Sequence, residues 1–449
     1  MFTPKALASL IGAAALTALP LMGLSEVDPT ENLVQSTSSR LPLEDLRSFA
    51  KVFEQIRQGY IEEVDDRTLL EYAIKGMLQG LDPHSSYLDR DSFDDLQANT
   101  TGEFAGLGIE VGIENDHITV VTPMDDTPAA RAGLKAGDII LRLSGKSMKG
   151  LSLDEAVERM RGPKGSSVTL TIARKGYKEP FEVTLKRDTV RVRSVRSRIL
   201  DEGYGYVRIS QFQLGTGDDV VKAVNKLQEK GALKGLIIDL RNNPGGVLQS
   251  SVEVVDAFLE EGLVVYTEGR TESSQLSYSA EPGDITAGAP IVVLINDGSA
   301  SAAEIVAGAL QDHRRAVVMG TDSFGKGSVQ TVIPITSDRA IKLTTALYFT
   351  PNGRSIQAQG ITPDILVERV KITRLEGPAR TTEADLAGHL GNGNGGEERN
   401  AADRKKAMEE REDWLDRDNQ IFEALNVLKG LNLYANRDRE LRAKVARAD

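Results

Sequence analysis

The stretch GTDSFGKGS, Gly320 to Ser328, carries a glycine, four residues, a glycine and a lysine, most of the spacing with which a glycine-rich loop cradles a nucleotide phosphate. That chemistry makes two further demands: a hydroxyl directly after the lysine to bind magnesium, and a helix whose N-terminus faces the phosphates. Here Gly327 follows Lys326, and the next residues, SVQTVIPI, are β-branched with a proline, which predicts a strand. A different use of the lysine fits better. An amine stripped of water loses affinity for its proton and can act as a neutral base. Phe324 is placed to shield Lys326, and Gly325 and Gly327 let other backbone approach it closely. A solvated loop lysine is the plain alternative.

Such a base needs a nucleophile. There are no cysteines, so a thiolate is excluded, as are a disulfide framework and cysteine-ligated metal. The four histidines, His84, His117, His313 and His389, are widely spaced, and no metal site is expected. In INDGSASAAEIVAGAL an apolar run ends at Ile295, a Gly/Ser turn follows, and a helix begins at Ala302. A serine at a strand-to-helix turn stands at the carboxyl edge of a sheet, where α/β active sites form. Ser299 and Ser301 are the candidates, and either could equally cap the helix. His313, the histidine nearest to them in sequence, sits about 18 Å along that helix from Ser301 and is a poor base for it. Acyl transfer also needs N–H donors for an oxyanion. DLRNNPGG offers Gly245 or Gly246, and the helix start offers Ala302; an ordinary turn is the alternative for NNPGG.

The elements that must position these residues are those of an α/β multidomain protein. Residues 1–25 place one charge, Lys5, before an apolar run ending at Gly23-Leu24-Ser25, the layout of a secretory signal peptide; a retained membrane anchor is the alternative. Residues 26–100 read as an N-terminal helical segment in which Leu46, Phe49, Val52, Phe53, Ile56 and Ile61 share a face. Residues 101–188 alternate strands with one helix opened by a capping box, Ser152 with Glu155, and AGLKAGDIILRLSG within them resembles a bacterial PDZ domain. Residues 189–370 alternate strands and helices; the apolar runs Gly235 to Leu240 and Ile291 to Ile295 predict strands buried on both faces. A Gly/Asn-rich tether follows at 371–411, then an amphipathic helix at 412–449, which could pack on its own body or on another subunit. A net charge of −12, from 54 Lys and Arg against 66 Asp and Glu, argues against a nucleic-acid partner.

Taken together, GMLQGLDPHSSYL, GEFAGLGIEVG, the PDZ unit, DLRNNPGG, NDGSASAAEI and FGKGSVQ resemble the carboxyl-terminal processing peptidases, or tail-specific proteases, of bacterial envelopes and chloroplast lumens. The resemblance runs from Leu46 to Glu368. It implies a serine endopeptidase with Ser301 as nucleophile, Lys326 as base, Gln330 orienting the lysine, and Gly245 and Ala302 as oxyanion donors, without cofactor or metal. Where relatives can carry serine, this chain has Ala303, which is not expected to be catalytic. The GLGI loop, Gly106, Leu107, Gly108 and Ile109, would receive a substrate's C-terminal carboxylate, and the strand after it would pair with the tail. Arg161, after the PDZ helix, would link tail binding to the active site. The implied partners are proteins with unstructured C-terminal tails and a lipoprotein adaptor, and the terminal helical segments suggest a homo-oligomer; the implied location is the periplasm or cell envelope. The rival from another class is a catalytically silent PDZ scaffold that binds tails without cutting them.

Overall fold

The computed structural model describes residues 42–124, 126–229, 231–370, 386, 388, 390 and 418–445. The leader and most of the tether therefore lie outside the described residues. The chain divides into two compact units, one ending at Glu71 and one beginning at Tyr72.

In the first unit α1 (Leu43–Gly59) carries Leu46, Phe49, Val52 and Ile56, each more than 40% exposed. Ile61, expected on the same face, falls after the helix has ended and is 92% exposed. The helix α2 (Asp66–Gln79) begins behind Asp65, whose carboxylate accepts the N–H groups of Arg67 and Thr68.

Within the segment read as helical, α2 gives way to β1 (Ser86–Leu88), because Asp82 turns the chain by accepting from the N–H groups of His84 and Ser85. A separate helix, α3 (Arg90–Thr101), is capped by Asp89 and ended by Gly102 at φ 71°. It leads into β2 (Glu103–Gly106).

The PDZ unit follows. Its strands are β3 (Ile109–Glu114), β4 (His117–Pro123), β5 (Ile139–Leu143), β6 (Lys146–Ser147), β7 (Ser167–Ala173) and β8 (Phe181–Lys186), with helices α4 (Pro128–Arg131) and α5 (Leu153–Met160). The sheet runs β3-β4-β5-β7-β8, leaving β3 on an edge, and α5 packs beside that edge strand. The expected capping box forms: Ser152 N–H donates to Glu155 Oε2 at 2.9 Å and Glu155 N–H to Ser152 Oγ at 3.3 Å. Ile118, Ile140, Leu170 and Ile172 alternate inward with Met148 and Ala156 to make a separate core. The strand β9 (Asp188–Arg191) returns to pair with β2.

The α/β core contains β10 (Val195–Asp201), β11 (Tyr204–Ile209), α6 (Thr216–Gln228), β12 (Gly235–Asp239), α7 (Leu248–Asp256), β13 (Gly262–Gly269), β14 (Ser277–Ala280), β15 (Ile291–Ile295), α8 (Ala302–Asp312), β16 (Ala316–Gly320), β17 (Ser328–Thr336), β18 (Arg339–Phe349), β19 (Ile365–Leu366) and α9 (Asn419–Val445). The central sheet is ordered β10-β11-β12-β15-β16-β19 and is parallel from β11 onward. A second sheet, β1-β18-β13-β14 with β17 on β18, stands beside it. Every residue of β12 and β15 is buried, as their apolar runs predict.

Successive residues of these strands serve opposite faces. Ile238 and Val293 face α6, α7 and α8, whereas Ile237, Val292, Leu294 and Met319 meet Ile421, Ala424 and Leu428 of α9. The C-terminal helix thus covers one side of its own chain's sheet. Leu428→Ala should remove about 2–5 kcal/mol of stability, read as a lower urea midpoint, because Leu428 is fully buried and its neighbours belong to a rigid sheet.

Candidate active site

Ser301 caps α8 with φ 55° and ψ −115°, a conformation that costs a non-glycine residue energy and must be held by its surroundings. Ser301 N–H donates to Glu304 Oε2 at 2.7 Å, Glu304 N–H returns to the Ser301 carbonyl at 2.8 Å, and Ala300 N–H reaches the Asn243 carbonyl at 2.9 Å. The two candidate serines separate here. Ser299 is fully buried, donating to the Leu240 carbonyl and accepting from Asn296 N–H, so it holds the turn. Ser301 opens onto a cleft of about 390 Å³.

Lys326 lines the same cleft. Its N–H donates to Glu304 Oε2 at 2.9 Å, and that of Gly325 to Glu304 Oε1 at 2.7 Å, with Ser323 Oγ on the same oxygen at 2.5 Å. One buried carboxylate therefore fixes the backbone of both serine and lysine. The Tyr348 hydroxyl donates to the Lys326 carbonyl. The glycines around the lysine are needed for close approach: a Cβ on Gly327 would lie 2.5 Å from Gln357 N, and Gly325 has φ 88° against the backbone of residues 358–360. A strand, β17, follows the lysine, so the helix into which a nucleotide-binding loop must lead does not form there.

Burial, then the positive charge of Lys342, lowers the pKa of the Lys326 amine below its usual value; Glu304 acts in the opposite sense. Phe324 does not provide that burial. Its side chain is 63% exposed, its backbone being held by an N–H bond to the Ser299 carbonyl. The walls of the cleft do so instead, among them Ile305, Val329, Tyr348 and, from α3, Leu96. His84 shares this positive neighbourhood: burial, then Lys326, lowers its pKa, with Asp82 opposing. His313 ends α8 at the far side, its Nε2 2.7 Å from the Leu263 carbonyl.

Ala302 begins α8, so its N–H is one of those a helix start leaves without an intrahelical acceptor. Gly245 packs directly against it: at φ 96°, a Cβ there would lie 2.8 Å from Ser301 Cβ and 3.0 Å from Ala302 N. The N–H of Gly245, expected to face an oxyanion, donates instead to Asn243 Oδ1 at 2.9 Å. Asn243 is wholly buried and also donates to the Ile209 carbonyl, so it shapes the turn from within. Gln330 lies on the wall of the cleft, and its amide nitrogen donates to Ser328 Oγ at 2.9 Å.

Arg161 meets neither Ser301 nor Lys326 in a hydrogen bond; its Nη1 donates to Asp95 Oδ1 on α3 at 2.6 Å. The next residue of α3, Leu96, lines the cleft, as do Asn99 and Thr100. In the GLGI loop the carbonyls of Leu107 and Gly108 are tied back by the N–H groups of Ala129 and Met124. Gly108 has φ 73°, and a Cβ there would collide with Thr127 at 2.2 Å.

Glu304, Lys342 and α3 escape a motif-by-motif reading. For Glu304 a signal was present: serine followed three residues later by glutamate is the capping-box spacing.

Residues 203–367 match peptidase family S41, residues 95–173 match the PDZ domain, and residues 13–92 match the activating protease CtpB N-terminal domain. The carboxy-terminal-processing protease of Bartonella bacilliformis is 50% identical over 349 residues, 77% of this chain and 80% of the relative. The carboxyl-terminal-processing protease of Synechocystis is 39% identical over 72% of this chain and 76% of its own length. The carboxy-terminal processing protease CtpA of Bacillus subtilis is 37% identical over 71% of this chain and 68% of its own. With its PDZ unit set before an α/β core, and relatives matched over most of their length, this chain belongs to the carboxy-terminal processing proteases of peptidase family S41.

Proposed function

We propose that the chain cleaves proteins near unstructured C-terminal tails through a Ser301/Lys326 dyad. The observation that carries this reading is that both residues line one cleft, have their backbones fixed by the same Glu304 carboxylate, and include an amine whose proton affinity burial has weakened. Ser301 Oγ attacks the scissile carbonyl carbon while its proton passes to Lys326 Nζ. The oxyanion so formed takes the Ala302 N–H, and that of Gly245 once it exchanges Asn243 for the substrate. The lysine then returns the proton to the leaving amine, and the C–N bond breaks. Water then attacks the acyl carbon as Lys326 takes its proton, the ester C–O bond breaks, and the lysine returns that proton to Ser301 Oγ. Gln330, on the wall of the same cleft, orients the lysine.

The PDZ unit captures the tail: GLGI receives the terminal carboxylate, and the open edge of β3 pairs with the residues before it. Arg161, through Asp95 and α3, carries tail occupancy to the cleft. The same reading divides the chain at 25, 100, 188, 370 and 411, sends it to the cell envelope through residues 1–25, and assigns the exposed apolar face of α1 to self-association or to a lipoprotein adaptor.

The test is incubation of a tail-bearing protein with wild type, Ser301→Ala and Lys326→Ala, and of wild type with the same substrate amidated at its C-terminus. Only wild type on the free tail should cut efficiently. Equal cleavage by all three proteins overturns the dyad; no cleavage by any of them, with the tail still bound, leaves a PDZ scaffold; indifference to amidation overturns carboxylate capture.

A further inference from the structure

The turn that packs against Ser301 is anchored at its root by a residue 177 positions further along the chain. Arg241 stands just after β12 and just before Asn242, Asn243, Pro244 and Gly245. Its Nε and Nη2 donate to the two oxygens of Asp239 at 2.9 and 2.6 Å. Its Nη1 and Nη2 donate to the two oxygens of Asp418 at 3.0 and 2.8 Å, and Nη1 also reaches Gln420 Oε1 at 2.7 Å. The guanidinium is thus gripped by two carboxylates in forked geometry, one from the end of β12 and one from the start of α9.

Asp239 is buried and Arg241 largely so, while the Asp418 side chain is 28% exposed. The side chain of Arg241 is 12% exposed and that of Asp239 is 3% exposed. Burial pushes the Asp239 carboxyl up, but the bonds and charge of Arg241 outweigh it and hold the group below the usual carboxylate range. Tyr206 adds its hydroxyl to Asp239 Oδ2 at 2.8 Å, and Arg208 donates to the Asp239 carbonyl at 3.0 Å. Asp418 has a second duty, its Oδ1 accepting the N–H groups of Gln420 and Ile421 as the cap of α9.

From Arg241 the order passes residue by residue to the nucleophile. Asn242, at φ 52°, donates its N–H to Asn296 Oδ1 at 2.7 Å. Asn243 receives Ala300 N–H and Gly245 N–H. Gly245 then packs on Ser301 and Ala302. The Asn242, Asn243 and Gly245 contacts join the turn to the loop that carries the nucleophile, and α9 holds Arg241, the residue from which the turn starts.

We propose that Asp418 is a positioning residue for peptide hydrolysis: by gripping Arg241 from the start of α9, it fixes the Asn242 to Gly246 turn against Ser301 and Ala302. This rests on the reading of Ser301 as nucleophile. In the full chain, Asp418→Asn keeps an acceptor for the helix cap but loses the charge and one of the two oxygens offered to Arg241. Its kcat on a tail-bearing peptide should fall about tenfold with KM within about twofold, since a displaced turn weakens the transition state more than the bound substrate. Affinity for a peptide boronate, which bonds to a serine hydroxyl and imitates the tetrahedral state, should fall by the same factor, while affinity for the free tail stays at its wild-type value and the variant remains fully folded at the assay temperature, even if its melting midpoint drops. Asp418→Glu should recover most of the loss.

A kcat within about twofold of wild type for Asp418→Asn overturns the proposal, as does a loss that tracks a falling folded fraction, because a role in folding alone moves both together. The two readings fail differently. If Ser301 is not the nucleophile, the boronate does not bond to Ser301 of the wild type and Ser301→Ala still cleaves; if only the Asp418 proposal is wrong, wild type is labelled at Ser301 and Asp418→Asn cleaves as well as it does.

Discussion

Lys326→Arg should leave no measurable cleavage of a tail-bearing peptide, and Lys326→Ala should lower kcat by about 10³- to 10⁴-fold, toward the upper range for losing a general acid and base. Arginine is the sharper of the two. It keeps a long side chain and a positive charge but does not give up its proton in a protein, so it cannot take one from Ser301. The same logic fixes the pH profile. Burial and Lys342 lower the lysine's pKa, so the neutral form appears below the usual lysine value of 10.5. Cleavage should rise with pH through that lowered pKa and then level off. A profile that falls as pH rises over the same span would contradict a neutral amine.

The lowered pKa has a cost in stability, with a definite sign. Below 10.5 the unfolded chain holds a proton that the folded amine resists, so this position weakens the fold most at low pH and stops doing so as pH approaches 10.5. Inactive Lys326→Met should therefore melt at a higher temperature than wild type at neutral pH, with the gap closing in alkali.

Glu304→Ala is expected to be the most damaging single change outside the dyad. Its two oxygens accept from Ser301 N–H, Lys326 N–H, Gly325 N–H and Ser323 Oγ, and the side chain is wholly buried. Truncation strands these donors, at about 1–3 kcal/mol for each that finds no water. Loss of the shared anchor should also cost about 10² in kcat, since both reacting groups depend on it for position. Glu304→Gln tests whether charge or shape matters. Each carboxylate oxygen accepts two donors, so an amide nitrogen in either place would face two hydrogens. Glutamine should therefore behave nearer to alanine than its volume suggests, in both the urea midpoint and kcat. Wild-type kinetics for Glu304→Gln would remove Glu304 from this role.

Local patterns made most of the architecture readable. The apolar runs at Gly235 and Ile291, the strand after Lys326 and the capped PDZ helix each depend on neighbouring residues, and each formed where expected. Ser301 and Lys326 stand out because a strand-to-helix turn and a glycine-flanked lysine are local features too. Ser299 and Ser301 could not be told apart on those terms, since only the fold decides which hydroxyl reaches the Leu240 carbonyl and which faces the cleft. Phe324 misled for a related reason: adjacency in sequence does not say which way a side chain points. Arg241 and Asp418 are 177 residues apart, and no periodicity connects them. For the same reason α9 could be recognised as an amphipathic helix while the surface it covers could not.

That surface bears on how the protein is made. Synthesis delivers β12, β15 and β16 first, then residues 371–417, and only afterwards the helix that keeps Ile237, Val292, Leu294 and Met319 dry. Until α9 arrives, the nascent sheet has one wet apolar side and Arg241 lacks its second carboxylate. Maturation of the cleft thus waits for α9 to be translated, and a chain interrupted before α9 should be a client for chaperones rather than a working hydrolase.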